Sequence, residues 1–239
     1  MGQAVYKRVL VKISGEAMAG EDSVLDFKLV REIAQAIKDC VSLGVEVGIV
    51  IGAGNIWRGA RDGGGNMERS RADHMGMLAT MINCLAMADV LESLGVDVRV
   101  QSAIDMRAIA EPYVRLRAMR HLEKGRVVIF GCGLGMPFFS TDTASVLRGM
   151  EINADIVLLA KNVDGVYDDD PRKNPDAKKY DFLSPNAFLT QNLSAMDSTA
   201  ASLSMDNKIP VLLFALKDPE NIVRAVKGEN IGTIVREEK

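Results

Sequence analysis

The sequence predicts an α/β protein with a mostly parallel central sheet that is sandwiched between helices. Short runs of valine, isoleucine and leucine alternate along the chain with longer segments in which apolar residues recur at helical spacing. The strand-like runs are continuously apolar, which is typical of parallel strands that helices cover on both faces. Glycines follow several of these runs, as expected for turns at the carboxyl ends of parallel strands.

In the first half of the chain, strands alternate with helices. A helix predicted at 26–43 begins at Asp26, a residue type that caps helix N-termini, and stops before Gly44. A helix predicted at 112–122 has Pro112 in its first turn, where the missing N–H is tolerated. The other predicted elements of this half are the strands 8–13, 45–51, 96–101 and 126–130 and a long helix at 73–94.

The second half continues the alternation, except for one segment. Residues 166–186 are polar, charged and proline-bearing, with little periodicity. They fit either a solvated surface excursion or a flap over a polyanionic ligand, because long loops in compact domains are often functional. The predicted elements of this half are the helices 144–150, 198–206 and 219–226 and the strands 156–160, 211–215 and 233–235.

Composition excludes several classes of protein. The chain has 239 residues, is 48% hydrophobic and carries a net charge of −3, so nothing in its bulk charge favours a nucleic-acid partner. The first residues lack the apolar run of a signal peptide, and the apolar stretch at 127–139 is too short to span a bilayer. Three cysteines far apart suit a reducing compartment. We therefore expect a cytoplasmic protein without a membrane or nucleic-acid partner.

Three glycine-rich turns predict a site for phosphate groups. They lie at 14–16, 52–55 and 131–135, each directly after a predicted strand. Glycine lets backbone N–H groups approach phosphate oxygens, although a single turn of this kind is more often a plain connection. The chain contains neither a P-loop motif nor a G-x-G-x-x-G fingerprint. Lys12, inside an apolar strand, and Arg58, after the second turn, are the cations placed to meet an anion.

The motifs of the chain resemble those of the bacterial UMP kinases, a group within the amino acid kinase family. The resemblance runs in order from about residue 6 to residue 235. KISGE and VDGVY are typical of the wider family, whereas DHMGMLAT and PFFSTD are specific to the UMP kinases. The motifs are KISGE at 12–16, GAGN at 52–55, RG at 58–59, DHMGMLAT at 73–80, PFFSTD at 137–142 and VDGVY at 163–167.

The resemblance implies an activity, an assembly and a cofactor. The activity is transfer of the γ-phosphoryl group of ATP to UMP, giving ADP and UDP in pyrimidine nucleotide biosynthesis, with Mg²⁺ carried by the nucleotide rather than by a protein site. The assembly is a homohexamer, a trimer of dimers, of single amino acid kinase domains. Residues 1–150 would mainly bind UMP and dimerise, and residues 151–239 would mainly bind ATP. Asp89 and Arg99 match a region linked to GTP activation and UTP inhibition.

The resemblance also implies sets of site residues. The implied ATP contacts are Lys12, Ile13, Ser14, Gly15, Gly54, Arg58, Asn162, Tyr167 and Asp170, with Lys161 as the alternative to Asn162. The implied UMP contacts are Ala53, Asp73, Leu134, Gly135, Met136, Pro137, Phe138, Phe139, Ser140 and Thr141. The implied catalytic residues are Lys12, Arg58 and Asp197, of which Asp197 orders the lysine. Two departures from the family pattern are Ala53 in place of glycine, and Leu134 with Met136 in place of more polar residues.

The chemistry of such a reaction fits the residue types. A nucleoside monophosphate has a second phosphate pKa of about 6, so its attacking oxygen is ionised at neutral pH and needs no general base. The chain has only two histidines, which is compatible with that chemistry. Two other hypotheses are a family member that acts on a carboxylate or carbamate acceptor, and a nucleotide sensor without turnover.

One helix predicts contact with a second subunit. Residues 75–88, MGMLATMINCLAMA, carry no charge on any face, whereas a helix on the surface of a monomer has a polar stripe. One side can pack on the sheet, and the other then needs a partner. Met81 and Leu85 are the candidates for the outward side.

Overall fold

The computed structural model describes residues 3–63, 65, 67–171, 173–191, 193 and 195–237, with only the backbone of Ala60. A 3₁₀ helix, Gly15–Met18, follows the first strand. The strands are β1 Arg8–Ile13, β2 Glu46–Ile51, β3 Val98–Ser102, β4 Glu111–Pro112, β5 Val127–Gly131, β6 Ile156–Lys161, β7 Val166–Tyr167, β8 Lys179–Tyr180, β9 Phe182–Leu183, β10 Val211–Ala215 and β11 Thr233–Val235. The helices are α1 Phe27–Ser42, α2 Gly59–Asp62, α3 Arg69–Ser93, α4 Arg115–Glu123, α5 Thr141–Glu151, α6 Pro185–Thr190, α7 Ser198–Asn207 and α8 Glu220–Val226.

One large sheet organises the described part of the chain. Its strand order is β4-β3-β5-β2-β1-β6-β10-β11-β9, and its pairs are parallel except β10 with β11. β1 is the central strand, with β2 on one side and β6 on the other. The chain builds the β2 side first and the β6 side second, so the sequence order reverses at β1. Ligands of open α/β sheets bind beyond the carboxyl ends of the strands at such a point.

Alternation along β1 divides the core between two layers. Val9, Val11 and Ile13 face the layer that contains α1, α3 and α8, whereas Leu10 packs in the layer that contains α4 to α7. Because side chains of a strand alternate, Lys12 points to the same face as Leu10. The same alternation in β6 places Lys161 on that face too, two residues beyond Leu159, the partner of Lys12 in the register. Two lysines thus share one face at neighbouring strand ends.

Helix α3 packs on the sheet and leaves an apolar stripe exposed. Its inner side is buried, including Met81 at 4% exposure, whereas Leu85 is 39% exposed and faces outward. By length and composition alone α3 could cross a membrane, but 56% of its most apolar window is buried within the fold, as in a core helix. The exposed stripe consists of Met75, Leu78, Ile82 and Leu85.

The structure confirms the predicted fold class and corrects some elements. Pro112 does not begin a helix: it lies in the edge strand β4 beside β3, a position where a missing N–H is tolerated, and α4 starts only at Arg115. The segment 166–186 contains short strands that were not predicted: β7 and β8 form an antiparallel hairpin, and β9 joins the large sheet. Asp26 caps α1 as predicted, accepting a hydrogen bond of 2.8 Å from the Lys28 N–H.

Candidate functional site

Two adjoining cavities open at the carboxyl ends of the central strands. The first, the α3 cavity, has a volume of about 380 Å³ and is lined by the 52–54 turn, α3 and residues of the 132–142 segment. The second, the hairpin cavity, has a volume of about 920 Å³ and is lined by residues 161–171, which include β7 of the hairpin. Lys12, Ser14 and Arg58 line both cavities. A ligand in one cavity therefore meets a ligand in the other at the end of β1.

A cluster of three charges lies at this junction, with Lys12 and Asp142 buried and Lys161 partly buried. The Lys12 ammonium is 3.2 Å from Asp142 Oδ1, and the Lys161 ammonium donates to Asp142 Oδ2. Lys161 also donates to the Ala195 carbonyl at 2.5 Å. Asp142 lies in the first turn of α5, directly above the strand face that carries both lysines. The cluster has one carboxylate for two ammonium groups and so presents net positive charge to the cavities.

The pKa values of this cluster reflect burial and pairing. Burial raises the pKa of Asp142, but the charges of Lys12 and Lys161 outweigh it and hold that pKa below its ordinary value. Burial also lowers the pKa of Lys161, an effect that the Asp142 carboxylate opposes without cancelling. Asp142 is therefore ionised at neutral pH, and its carboxylate opposes the effect of burial on the Lys161 ammonium.

Asp197 connects the beginnings of two helices near the cluster. It caps α7 through the Ala200 N–H at 2.9 Å, and it accepts hydrogen bonds from the Ser140 and Thr143 hydroxyls of α5. The resemblance implied that Asp197 orders Lys12. In the described residues the carboxylate in contact with Lys12 is that of Asp142, and the role of Asp197 in ordering the lysine stays a prediction. Through its hydrogen bonds to Ser140 and Thr143, Asp197 fixes α5, which carries Asp142.

The first two glycine turns pack against each other. A Cβ at Gly15 would lie 2.4 Å from the Gly52 carbonyl oxygen, so only glycine allows this approach. The buried Asn83 of α3 donates to that carbonyl at 2.8 Å and to Asn55 Oδ1 at 2.8 Å. The 52–55 turn is thus held by side chains beneath it, and its residues Gly52, Ala53 and Gly54 line the α3 cavity.

A carboxylate bridges two of the residues that were expected to contact ATP. Glu16 pairs with the Arg58 guanidinium and accepts a hydrogen bond of 2.7 Å from the Asn162 amide. These side chains are exposed, and Glu16 and Asn162 line the hairpin cavity. Arg58 thus lies at the junction of the two cavities and is paired there with the Glu16 carboxylate.

The 132–140 loop closes one wall of the α3 cavity in an unusual backbone conformation. Cys132 and Phe138 have φ values of +62° and +72°, a region that costs non-glycine residues free energy. Both are tied to α3: the Cys132 N–H donates to Thr80 Oγ1 at 3.0 Å, and the Phe138 N–H donates to Asp73 Oδ2 at 2.8 Å. Asp73 also accepts from Arg69 Nε at 2.9 Å. Hydrogen bonds to α3 therefore hold the backbone of the 132–140 loop in this conformation.

The predicted residues divide between the cavities. Those lining the α3 cavity include Lys12, Ser14, Gly15, Ala53, Gly54, Arg58, Asp73, Leu134, Met136, Phe139, Ser140 and Thr141. Those lining the hairpin cavity include Lys12, Ser14, Arg58, Asn162, Tyr167 and Asp170. Ile13 lines neither, because its side chain is fully buried in the core. Gly135, Pro137 and Phe138 belong to the loop, but they do not line the α3 cavity as it stands.

The sequence reasoning assigned no role at the cluster to Asp142 and left Lys161 as an alternative. Lys161 ends an apolar strand as Lys12 does, so that signal was available. Asp142 lies two residues after Ser140, which caps α5, and its burial cannot be read from its position in the first helical turn. Arg69 was missed because α3 begins four residues before the predicted 73–94 helix.

No group of three acidic, histidine or cysteine side chains in the described residues is placed to hold a metal ion. Asp142, the carboxylate at the junction, is already paired with two lysines. These side chains therefore fit a metal ion that enters bound to phosphate oxygens of a nucleotide. The expectation of a nucleotide-borne Mg²⁺ stays a prediction.

Comparisons with known proteins cover nearly the whole chain. Residues 7–223 match the model of the amino acid kinase family. The fold is similar to that of UMP kinase from Bacillus anthracis, with 43% identity over 98% of this chain and 97% of that one and a TM-score of 0.93. UMP kinase from Ureaplasma parvum gives 39% identity, coverages of 99% and 100%, and a TM-score of 0.92. Uridylate kinase from Archaeoglobus fulgidus gives 29% identity over 95% of this chain and 99% of that one, with a TM-score of 0.73.

Proposed function

The chain belongs to the amino acid kinase family, and we propose that it transfers the γ-phosphoryl group of ATP to UMP, giving ADP and UDP. The observation that carries the proposal is the pair of cavities that meet at a buried cationic cluster. Full-length likeness to bacterial UMP kinases at 43% and 39% identity supports the same reaction.

UMP occupies the α3 cavity in this proposal, and ATP the hairpin cavity. The smaller cavity has the 52–54 backbone for a phosphate, Asp73 for the ribose and the 132–140 loop for the base. The larger has Asn162, Tyr167 and Asp170 for the adenosine half of ATP. Arg58 stands where the phosphate chains meet. In this proposal residues of about 1–150 mainly bind UMP and those of 151–239 mainly bind ATP, within one domain.

Phosphoryl transfer in this site depends on positioning and charge. Two polyanions must approach each other, and charge on the transferred group must be stabilised. Lys12 of β1 and Lys161 of β6 lie on the same face of the sheet, and Asp142 holds both ammonium groups in place before a substrate arrives. Charges that are fixed in advance need no reorganisation during the reaction. The acceptor oxygen of UMP is already ionised at neutral pH, so no side chain has to remove a proton.

Mg²⁺ enters with ATP in this proposal. When bound to ATP, the ion would neutralise part of the charge of the phosphate chain. The protein contributes the lysines and the glycine-turn amides around those phosphates, and its carboxylate Asp142 stays with the lysines.

Uracil is distinguished from cytosine mainly by the backbone. Side chains at Leu134 and Met136 are apolar and offer no hydrogen bond, whereas backbone N–H and C=O groups of 133–136 have fixed polarity. The Thr141 hydroxyl can rotate to suit either base. A buried hydrogen-bonding group left unpaired by the wrong base costs about 1–3 kcal/mol.

The assembly we propose is a homohexamer built from dimers. The exposed apolar stripe of α3 supports the dimer, because contiguous apolar surface of this kind marks protein interfaces. Asp89 and Arg99 are the residues we assign to a GTP-activated, UTP-inhibited response. The enzyme acts in the cytoplasm, in pyrimidine nucleotide synthesis.

A coupled assay of ADP release tests the activity. Purified protein is given ATP, Mg²⁺ and one acceptor: UMP, CMP, dUMP or acetylglutamate. We expect turnover with UMP far above that with the other acceptors. Turnover with acetylglutamate would identify a carboxylate kinase, and ATP binding without ADP release would identify a sensor; either result contradicts the proposal. GTP should raise the rate; an unchanged rate and UMP saturation curve would contradict only the regulatory part.

A further inference from the structure

Arg69, in the first turn of α3, clamps the carboxylate of Asp73. Its Nε lies 3.0 Å from Oδ1 and 2.9 Å from Oδ2 of Asp73, one helical turn further along. Arg69 also lines the α3 cavity. The Arg69 side chain is 49% exposed, and an i,i+4 ion pair with so exposed a partner contributes little to stability.

The Asp73 carboxylate is fixed from three elements. The Phe138 N–H of the 132–140 loop donates to Oδ2 at 2.8 Å. A Cβ at Gly59 of α2 would lie 2.5 Å from Oδ1, so α2 packs directly on the carboxylate. The Asp73 side chain is accordingly only 13% exposed. A carboxylate has about four acceptor positions, so these donors leave capacity for a further hydroxyl donor.

Arg69 is itself held in place by the loop. Its guanidinium carbon lies 5.7 Å from the centre of the Phe138 ring, within the range of a cation–π contact. Phe138 therefore binds the pair twice, through its N–H to the carboxylate and through its ring to the guanidinium. The arginine has one partner on its own helix and one across the cavity wall.

We propose that Arg69 is a positioning residue for the acceptor nucleotide, which orients the Asp73 carboxylate toward the ribose hydroxyls. The proposal rests on the proposed function, in which Asp73 accepts hydrogen bonds from that ribose. Arg69 acts through Asp73 and makes no contact of its own with the reacting phosphates.

The test compares UMP with 2′,3′-dideoxy-UMP, which lacks both ribose hydroxyls. Calorimetry gives the Kd of each ligand for the wild type, Arg69→Ala, Asp73→Asn and the double variant. The readout is the ratio of the two Kd values, because a general loosening of the loop weakens both ligands alike. Arg71→Ala is the matched control: it removes an exposed ion pair, to Glu68, from the same turn of α3. Thermal unfolding checks that each variant is folded.

Arg69→Ala should lower the preference for UMP over the dideoxy analogue by about three- to tenfold, a loss in the range of one weakened charge-assisted hydrogen bond. The double variant should lose no more than Asp73→Asn alone, since both changes remove one interaction. The kcat at saturating UMP should change much less than the Kd. An unchanged ratio in Arg69→Ala, equal weakening of both ligands, or additive losses in the double variant would overturn the proposal.

Different results would contradict the proposed function itself. If Asp73→Asn leaves the ratio at the wild-type value, Asp73 does not read the ribose, and the positioning role of Arg69 falls with it. If the wild type does not phosphorylate UMP at all, the proposed activity is wrong whatever the ratios are.

Discussion

The two cavities on either side of β1 differ in how their walls are built. In the α3 cavity, polar side chains are tied to neighbouring elements: Asp73 to the 132–140 loop, and Asn83 to the 52–55 turn. The hairpin cavity is more than twice as large, about 920 against 380 Å³, and one of its walls contains a strand of a two-stranded hairpin that is separate from the large sheet. Fixed groups favour selection between similar acceptors, whereas the wider cavity suits a larger nucleotide.

The cavities share the cationic cluster, and this sets which changes affect one side and which affect both. Lys12 lies on the central strand, and Asp142 begins a helix that packs across β1. Substitutions in the cluster should therefore affect the ligands of both cavities. Substitutions in a single wall should affect mainly the ligand of that cavity.

The largest effect is expected from Lys12→Ala. Loss of one fixed charge at a developing anion typically lowers the rate by about 10²–10³-fold. Because the lysine touches both cavities, kcat should fall for every acceptor, and the protein should remain folded. Rapid-quench measurement of a single turnover separates this effect from substrate affinity. A folded Lys12→Ala protein with near-normal kcat would contradict the role assigned to the lysine.

Asp142→Asn should be nearly as damaging to activity and should also lower stability. It leaves two buried ammonium groups without their shared carboxylate, a change that typically costs about 3–5 kcal/mol at neutral pH. The pKa of Asp142 is below its ordinary 3.8, so its contribution is present above that pH and lost as the pH falls through the folded value.

Urea unfolding of the wild type and Asp142→Asn checks this dependence. The difference in unfolding free energy should be constant between pH 7 and about pH 5 and shrink below the ordinary pKa of 3.8. Asp105→Asn is a suitable control, since Asp105 forms an exposed pair with Arg107. Equal stability of Asp142→Asn and the wild type at pH 7 would show that the cluster is not electrostatically coupled.

Substitution on the outer side of α3 should affect assembly more than chemistry. Leu85→Asp places a charge in the exposed apolar stripe and should reduce the mass measured by light scattering at micromolar concentration. Met81→Asp, four residues earlier on the buried side, should instead destabilise the fold. A monomeric wild-type protein would refute the assembly, as would a Leu85→Asp protein of unchanged mass.

The smallest effect is expected from Thr141→Ala, which alters one wall of the α3 cavity. Loss of one hydroxyl should raise the KM for UMP by about tenfold or less. UMP should stay strongly preferred over CMP if the backbone of 133–136 distinguishes the two bases as proposed, and the KM for ATP should hardly change. If CMP becomes as good a substrate as UMP, the hydroxyl is the group that reads the base.

Periodicity was enough to predict the α/β class and most of the large sheet. β1, β2 and β5 are continuous apolar runs, so their parallel, doubly covered character is visible in the sequence. The two-residue strands β4, β7, β8 and β9 were not predicted, because so short a strand has no period of its own and forms only where a partner strand lies beside it. Pro112 illustrates this: its preference for helix starts was overruled by pairing with β3.

The site was predictable where the chemistry lies in short motifs. The glycine turns, Lys12 and Asp73 could be read from the sequence and line the cavities. The Asp142 cluster could not, because it needs the register of two strands and the position of a helix relative to them. The φ values of Cys132 and Phe138 are also hidden in the sequence, since neither residue type favours the left-handed region.

The Glu16 carboxylate between Arg58 and Asn162 gives nucleotide binding the character of an anion exchange. If Arg58 binds a phosphate as proposed, the incoming group must first replace Glu16. Exposed ion pairs of this kind are worth up to about 1 kcal/mol, so the displacement costs at most about a fivefold loss of affinity. Glu16 also acts as a counter-ion of Arg58 and so weakens the binding of inorganic anions there, whereas a nucleotide with many further contacts would displace the carboxylate.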